Sequence, residues 1–190
     1  MSLKTNVIVG NITNLSEARY CAGMGVDFLA FPSHRIDPKT FQEITGWVSG
    51  PAHILDLTES EVIPNELASY SADYVLVNIQ QLNKISDPIQ YSLIVFLKDL
   101  SEWLILKSEI LSRKIPLSYL IIESKNMVAI DQLNTGFSVF VRYDRQHTIE
   151  AILESGMGGV MLLGSDEEKP GLKDYSELSE ILEALEVSEE

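Results

Sequence analysis

The sequence predicts an α/β chain folded as a compact, single-domain TIM-type (βα)8 barrel, and three observations carry that prediction. Eight short, β-rich apolar runs begin at Asn6, Val26, Ala52, Asp73, Tyr91, Leu117, Ser138 and Gly158, so successive starts lie 20, 26, 21, 18, 26, 21 and 20 residues apart. Hairpins need far shorter spacings; these fit a strand, a loop, a helix of about ten residues and a second loop. Several runs, such as Ser92–Leu97 and Tyr119–Ile122, are almost continuously apolar, as parallel strands covered on both faces must be. An open doubly wound sheet is the rival, but it has fewer strands and a glycine-rich first turn that Gly10-Asn-Ile-Thr13 does not supply.

Each element has its own signal. Asn6–Val9 is the first strand, and Asn14-Leu-Ser-Glu17 then opens a helix as a capping box, Asn14 as cap and Glu17 reaching back. Val26–Phe31 is the second strand. Asp37-Pro38 caps the next helix with proline in its first turn, and Phe41, Ile44, Trp47 and Val48 follow at helical spacing. Ala52–Leu57 and Asp73–Val77 are the third and fourth strands. The stretch Gln80–Gln90 has Pro88 and a thin apolar pattern, which predicts an irregular loop or a single turn. Tyr91–Leu97 is the fifth strand, with Ser101 as the cap of a helix over Glu102–Ser112. Leu117–Ile122, Ser138–Val141 and Gly158–Leu163 complete the strands, and Asp174 or Ser176 opens a last amphipathic run through Leu178, Ile181, Leu182 and Leu185. Ala18–Gly25 and Ala151–Gly158 echo one another, each ending Gly-Met-Gly before a strand, as left-handed glycine caps would. Trp47 and Trp103 read as packing anchors within helical patterns. No linker interrupts residues 1–190, and the acidic tail at about 186–190 is expected to fray.

Composition excludes several classes of function. With 28 acidic against 14 basic side chains the net charge is −14, which argues against binding nucleic acid or an anionic membrane. The lone Cys21 excludes an internal disulfide and any metal site built on several thiolates. No apolar run approaches the roughly 18–20 residues that would span a bilayer, and the start Met1–Asn6 lacks a leader's apolar segment, so a cytoplasmic location is expected. His34, His53 and His147 fall on different units without metal-ligand spacing, so neither a bound metal nor another cofactor is expected. A small anionic metabolite remains compatible with the charge, because one arginine and a few backbone N–H groups outweigh distant carboxylates. Nothing in the sequence points to a protein partner or an oligomeric state.

In a barrel, chemistry sits where strands end. Those ends carry Gly10-Asn11, Ser33-His34-Arg35, Asp56, Asn78, Lys98-Asp99, Glu123-Ser-Lys125, Arg142-Tyr-Asp144 and Gly164-Ser-Asp166. The inventory suits acid–base work on a small anionic molecule. Polar residues at strand ends also cap helices in any barrel, which is the plainer reading of each one taken singly.

Four segments, in order, resemble the phosphoribosylanthranilate isomerase family. Ile12-Thr-Asn-Leu15 resembles the end of its K-I-C-G-I-T-N-L opening, and Gly25–Phe31 its G-A-D-x-x-G-F-x-F strand. Ser33-His-Arg-Ile36 resembles S-x-R-x-I, and Glu167–Asp174 is similar to E-x-x-P-G-x-K-D. The resemblance implies a barrel and an Amadori rearrangement, in which an acid protonates the ring oxygen and a base removes the C2′ proton. It places the family's cysteine base at Gly10, or at Val9 after a one-residue slip, while Cys21 lies in the first helix. The acid position, an aspartate in the family, holds Glu123, whose longer stem displaces the proton. Arg35 stands where the family grips the anthranilate carboxylate; packing over the second helix is its simpler alternative. Asn78 replaces part of Q-L-H after the fourth strand. The family's phosphate glycines after strands seven and eight are reduced to Gly164-Ser165, with Asp166 and Glu167 beside them. Arg142 or Arg145 is the available substitute for holding an anion.

Loss of the base together with most phosphate glycines favours a diverged barrel. Such a barrel binds a small anionic ligand, a sugar-phosphate or a carboxylate, with the isomerase reaction lost or impaired. The expected site comprises Glu123 as acid and Asp56 as a second catalytic carboxylate, with Arg35, Asn11, Asn78, Lys98, Arg142, Gly164 and Ser165 binding the ligand. Two alternatives stay open: an active isomerase with a substituted base, and a non-catalytic barrel acting through a protein interface.

Overall fold

Eight parallel strands pair in sequence order and close on themselves: β1 (Asn6–Gly10), β2 (Phe28–Pro32), β3 (Ala52–Asp56), β4 (Tyr74–Val77), β5 (Leu93–Leu97), β6 (Leu117–Glu123), β7 (Ser138–Arg142) and β8 (Gly159–Leu163). The seam is β1 against β8, in register from Asn6↔Gly159 to Gly10↔Leu163. The structure, a computed structural model, describes residues 2–61, 63, 67–130, 135–165 and 174–187. Among the described residues seven α-helices lie between or after the strands: α1 (Leu15–Gly23), α2 (Pro38–Thr45), α3 (Ile79–Leu82), α4 (Glu102–Arg113), α5 (Met127–Ile130), α6 (Ile149–Glu154) and α7 (Ser176–Ala184).

Side-chain alternation along a strand divides the core in two. One parity, with Val7, Leu29, Leu55, Val95 and Val141, packs outward against helix residues such as Phe41, Ile44, Leu106 and Leu182. Each such side chain contributes about 1.5–3 kcal/mol on burial. The other parity fills the barrel in layers from alternate strands. Phe28, Tyr74 and Tyr119 form the floor; Ile8, Ile54, Ile94 and Phe140 lie above them; Ala30, Leu76, Ile121 and Met161 come next. The floor's rings meet edge to face, Phe28 to Tyr119 at 5.6 Å and Tyr119 to Phe140 at 5.5 Å between centroids. Gly159 holds the floor's fourth place because a Cβ there would strike the Phe140 ring. Counting on by two from these layers puts Gly10, Pro32, Asp56, Phe96, Glu123, Arg142 and Leu163 at the barrel mouth.

Several local expectations change. Strand ends shift by up to two residues, and β6 and β7 run on to Glu123 and Arg142. Between β3 and β4 the described residues hold one 3-10 turn, Leu67–Tyr70, and no α-helix. The stretch after β4 forms the single turn α3, capped by Asn78. Ser101 does not cap α4, because its backbone is already helical. Asp99 Oδ1 instead accepts from Ser101 N–H at 2.9 Å, and Glu102 Oε2 accepts from Lys98 N–H at 2.7 Å. Glu17 does reach back, but to Thr13 N–H at 3.1 Å. Trp103 is buried as expected, whereas Trp47 is 70% exposed, since α2 stops at Thr45 and leaves it in the following turn. The Gly-Met-Gly echo is not structurally equivalent: the left-handed residue is the second glycine, Gly25, in one copy and the first, Gly156, in the other. The tail is anchored through Val187, where Glu186 bridges Leu3 and Val187 N–H donates to Ser2 O at 2.9 Å; residues 188–190 lie outside the described ones. Among the described residues no helix is long and apolar enough to cross a membrane.

Candidate functional site

The mouth is built first at the seam. Gly10 O accepts the Gly164 N–H at 2.9 Å. The space beside Gly10 is taken: a Cβ there would lie 2.9 Å from both Leu163 Cδ2 and Met161 Cε. Asn11 follows in the left-handed region, with φ of 62°, which asparagine tolerates better than most residues. That turn carries its amide across the seam, where Nδ2 donates to Gly164 O at 3.0 Å and more weakly to Ser165 O at 3.4 Å.

At the end of β2, Pro32 O accepts the N–H groups of Arg35 at 3.0 Å and Ile36 at 3.1 Å, a tight turn that returns the chain toward the mouth. Arg35 Nη1 then donates to Asn11 Oδ1 at 3.1 Å. Arg35 therefore reaches the end of β1. At the end of β3, Asp56 Oδ1 accepts from both Thr58 N–H, at 2.8 Å, and Thr58 Oγ1, at 2.7 Å. Burial pushes the Asp56 carboxyl above its ordinary range; the Thr58 hydrogen bonds pull it down, Glu59 adds to the rise and His34 opposes it. His34 Nε2 stands 3.9 Å from Glu59 Oε2.

These groups surround a cavity of about 190 Å³. Of the expected site residues, Asn11, Arg35, Asp56 and Gly164 line it, joined by His34, Glu59, Pro32 and Leu163. Glu123 and Arg142 form a separate cluster at the mouth, with Arg142 Nη1 3.9 Å from Glu123 Oε1 and its guanidinium 5.3 Å from the Phe96 ring centroid. Asn78 Oδ1 accepts the N–H groups of Gln80 and Gln81, so its side chain is engaged in starting α3. Lys98 is exposed, and its backbone N–H is held by Glu102. Ser165 Oγ donates to Asp174 O at 2.7 Å.

The strand-seven and strand-eight ends are occupied by the chain's own groups. A Cβ on Gly164 would run into the carboxylate of Glu17, a fully buried residue of α1. Tyr143 N–H donates to Met161 O at 2.9 Å. Arg145 is clamped to Glu177, Nε to Oε1 at 2.6 Å, and that carboxylate raises its already high pKa. Asp166 and Glu167, expected to repel a phosphate here, lie outside the described residues, as does all of 167–174 except Asp174. Cys21 is buried in α1 within the outer core.

Sequence reading counted His34 among the strand-end residues without assigning it to the site, and passed over Glu59 and Leu163. The pattern Asp56-x-Thr58-Glu59 is the available signal, since an Asx turn sends the chain back over the strand end. Leu163 carried none, because its role depends on the seam. Among the described residues, no group of three or more His, Cys, Asp or Glu is placed to hold a metal ion.

No family model matches the sequence, and no curated protein matches it. Solved structures do match in fold. A phosphoribosyl anthranilate isomerase in complex with reduced 1-(O-carboxyphenylamino)-1-deoxyribulose 5-phosphate aligns with TM-score 0.69 at 16% identity, over 94% of this chain and 97% of that one. The phosphoribosyl anthranilate isomerase of Thermus thermophilus aligns with TM-score 0.68 at 17% identity, over 95% and 98%. A truncated 3-deoxy-D-arabino-heptulosonate 7-phosphate synthase from Thermotoga maritima aligns with TM-score 0.70 at 13% identity, over 95% and 84%. Two chemistries fit equally well, so the likeness establishes the (βα)8 barrel fold alone.

Proposed function

We propose that this barrel is a diverged relative of the phosphoribosylanthranilate isomerases that has lost the isomerase reaction and binds a small carboxylate at its mouth. The observation that carries the reading is the refilled end of β1. Where the resemblance places the catalytic base there is a glycine, and the volume of the missing side chain is occupied by Leu163 and Met161. A positioned general base is worth about 10²–10⁴-fold in rate. Here its place is repacked as well as vacated.

The same geometry favours a carboxylate over a sugar-phosphate. Arg35, steadied by Asn11, offers the planar fork that suits a carboxylate. The Glu17 carboxyl group also fills the space beside Gly164. The reading requires no cofactor.

Calorimetric titration with propionate, inorganic phosphate and ribose 5-phosphate tests it. Propionate is expected to bind, and Arg35→Met to weaken it at least about tenfold, the loss of one charge-assisted contact. Tighter binding of ribose 5-phosphate than of propionate would overturn the proposal.

A further inference from the structure

The carboxylate reading accounts for Arg35 but not for the acids facing the same space. A pocket for a simple carboxylate is lined by cations and neutral donors; this one also presents Asp56 and Glu59. Among the described residues Asp56 makes no ion pair within 4 Å, and both hydrogen bonds from Thr58 land on one oxygen, Oδ1. Among the described residues Glu59 has only His34, at 3.9 Å. Asp56 is half-buried and Glu59 is exposed at the rim, so both carboxylates can be reached by a cationic or hydrogen-bond-donating group of a ligand.

From this juxtaposition of Arg35 with Asp56 and Glu59 in one small cavity, we infer that the ligand is a zwitterion of the small aliphatic α-amino-acid class. The inference rests on the carboxylate proposal above and extends it. The ligand's carboxylate pairs with Arg35, and its ammonium group pairs with Asp56, with Glu59 adding charge from the rim. Pro32 and Leu163 provide an apolar wall for a methyl or isopropyl side chain; Leu163, 45% exposed, is apolar surface with a reason to be uncovered. The charge balance agrees, because a neutral ligand adds nothing to a chain already at −14.

The test compares matched pairs by calorimetry at neutral pH: glycine with acetate, L-alanine with propionate, L-valine with isovalerate. Within at least one pair the amino acid is expected to bind at least about tenfold more tightly, the contribution of one charge-assisted contact. Asp56→Asn, nearly isosteric, should erase that preference by weakening the amino acid while leaving its deaminated partner within about twofold. Glu59→Gln, on the rim, should weaken it less. Equal binding within every pair, or a preference that survives Asp56→Asn in a folded variant, overturns the zwitterion and leaves the carboxylate reading standing. Binding of no member of any pair overturns both. The wild-type comparison needs no variant, so a misfolded Asp56→Asn does not shelter the inference.

Discussion

Gly10→Cys returns a thiol to the end of β1, and the contacts there set its effect. A Cβ on residue 10 sits 2.9 Å from both Leu163 Cδ2 and Met161 Cε, whereas carbon atoms pack best at about 3.5–4.0 Å. Each neighbour must withdraw by about 0.6–1.1 Å before the sulfur itself is placed. Both clashing atoms are ends of flexible side chains, so the effect falls within the overpacking range of about 1–3 kcal/mol. For a chain of this length about 2–4 °C is lost per kcal/mol, giving a Tm lower by about 2–12 °C. Thermal unfolding followed by circular dichroism reads this directly. Leu163→Ala in the same chain removes one of the two clashing atoms. The double variant should then be more stable than the sum of the single effects by at least about 0.5 kcal/mol. An unchanged Tm in Gly10→Cys, or strict additivity with Leu163→Ala, would refute the refilled mouth.

Three further outcomes follow from the same geometry. Burial raises the Asp56 carboxyl above its ordinary 3.8, so the folded state favours its protonated form and the wild type loses stability as pH climbs from that value through the raised one. Asp56→Asn does not titrate, so its stability relative to wild type should rise over that interval in urea melts; a constant difference would contradict the burial. His53, packed against Phe31 and Phe41, is held below its ordinary 6.5 by burial, which Asp73 only partly opposes. The unfolded chain then takes up the proton first, so stability should fall as pH drops from about 6.5 through the lowered value, and His53→Leu should flatten that part of the profile. Gly164→Ala drives a methyl into the Glu17 carboxylate and should destabilise by about 1–3 kcal/mol in chemical denaturation, with a neutral effect counting against the close approach.

The barrel is legible in the sequence because its cause is repeated eight times: an apolar run long enough for a strand, then enough chain for a return. Local signals that depend on a few neighbours also read well. Asn14 and Asp37 cap α1 and α2 through their own side chains, and the thin pattern after β4 folds as one turn. Trp47 shows where periodicity misleads, since its helical spacing continues past the point where the helix stops. The site was half legible. Arg35 and Asp56 announce themselves by residue type at strand ends. What Arg35 touches is set by Asn11, whose left-handed backbone and contact with Gly164, 153 residues away, exist only once β1 meets β8. Glu123 and Arg142 read as strand-end residues and end β6 and β7, yet nothing in residue order says that they face one another. The filling of Gly10's vacant side by Leu163 and Met161 is likewise a property of the closed seam.

The most direct measurement is turnover of phosphoribosylanthranilate by the purified protein, alongside complementation of a tryptophan auxotroph lacking that isomerase. With no base at Gly10 and Glu17 beside Gly164, the account predicts no growth and no turnover above background. Growth and turnover that disappear in Glu123→Gln and Arg35→Met variants would contradict it.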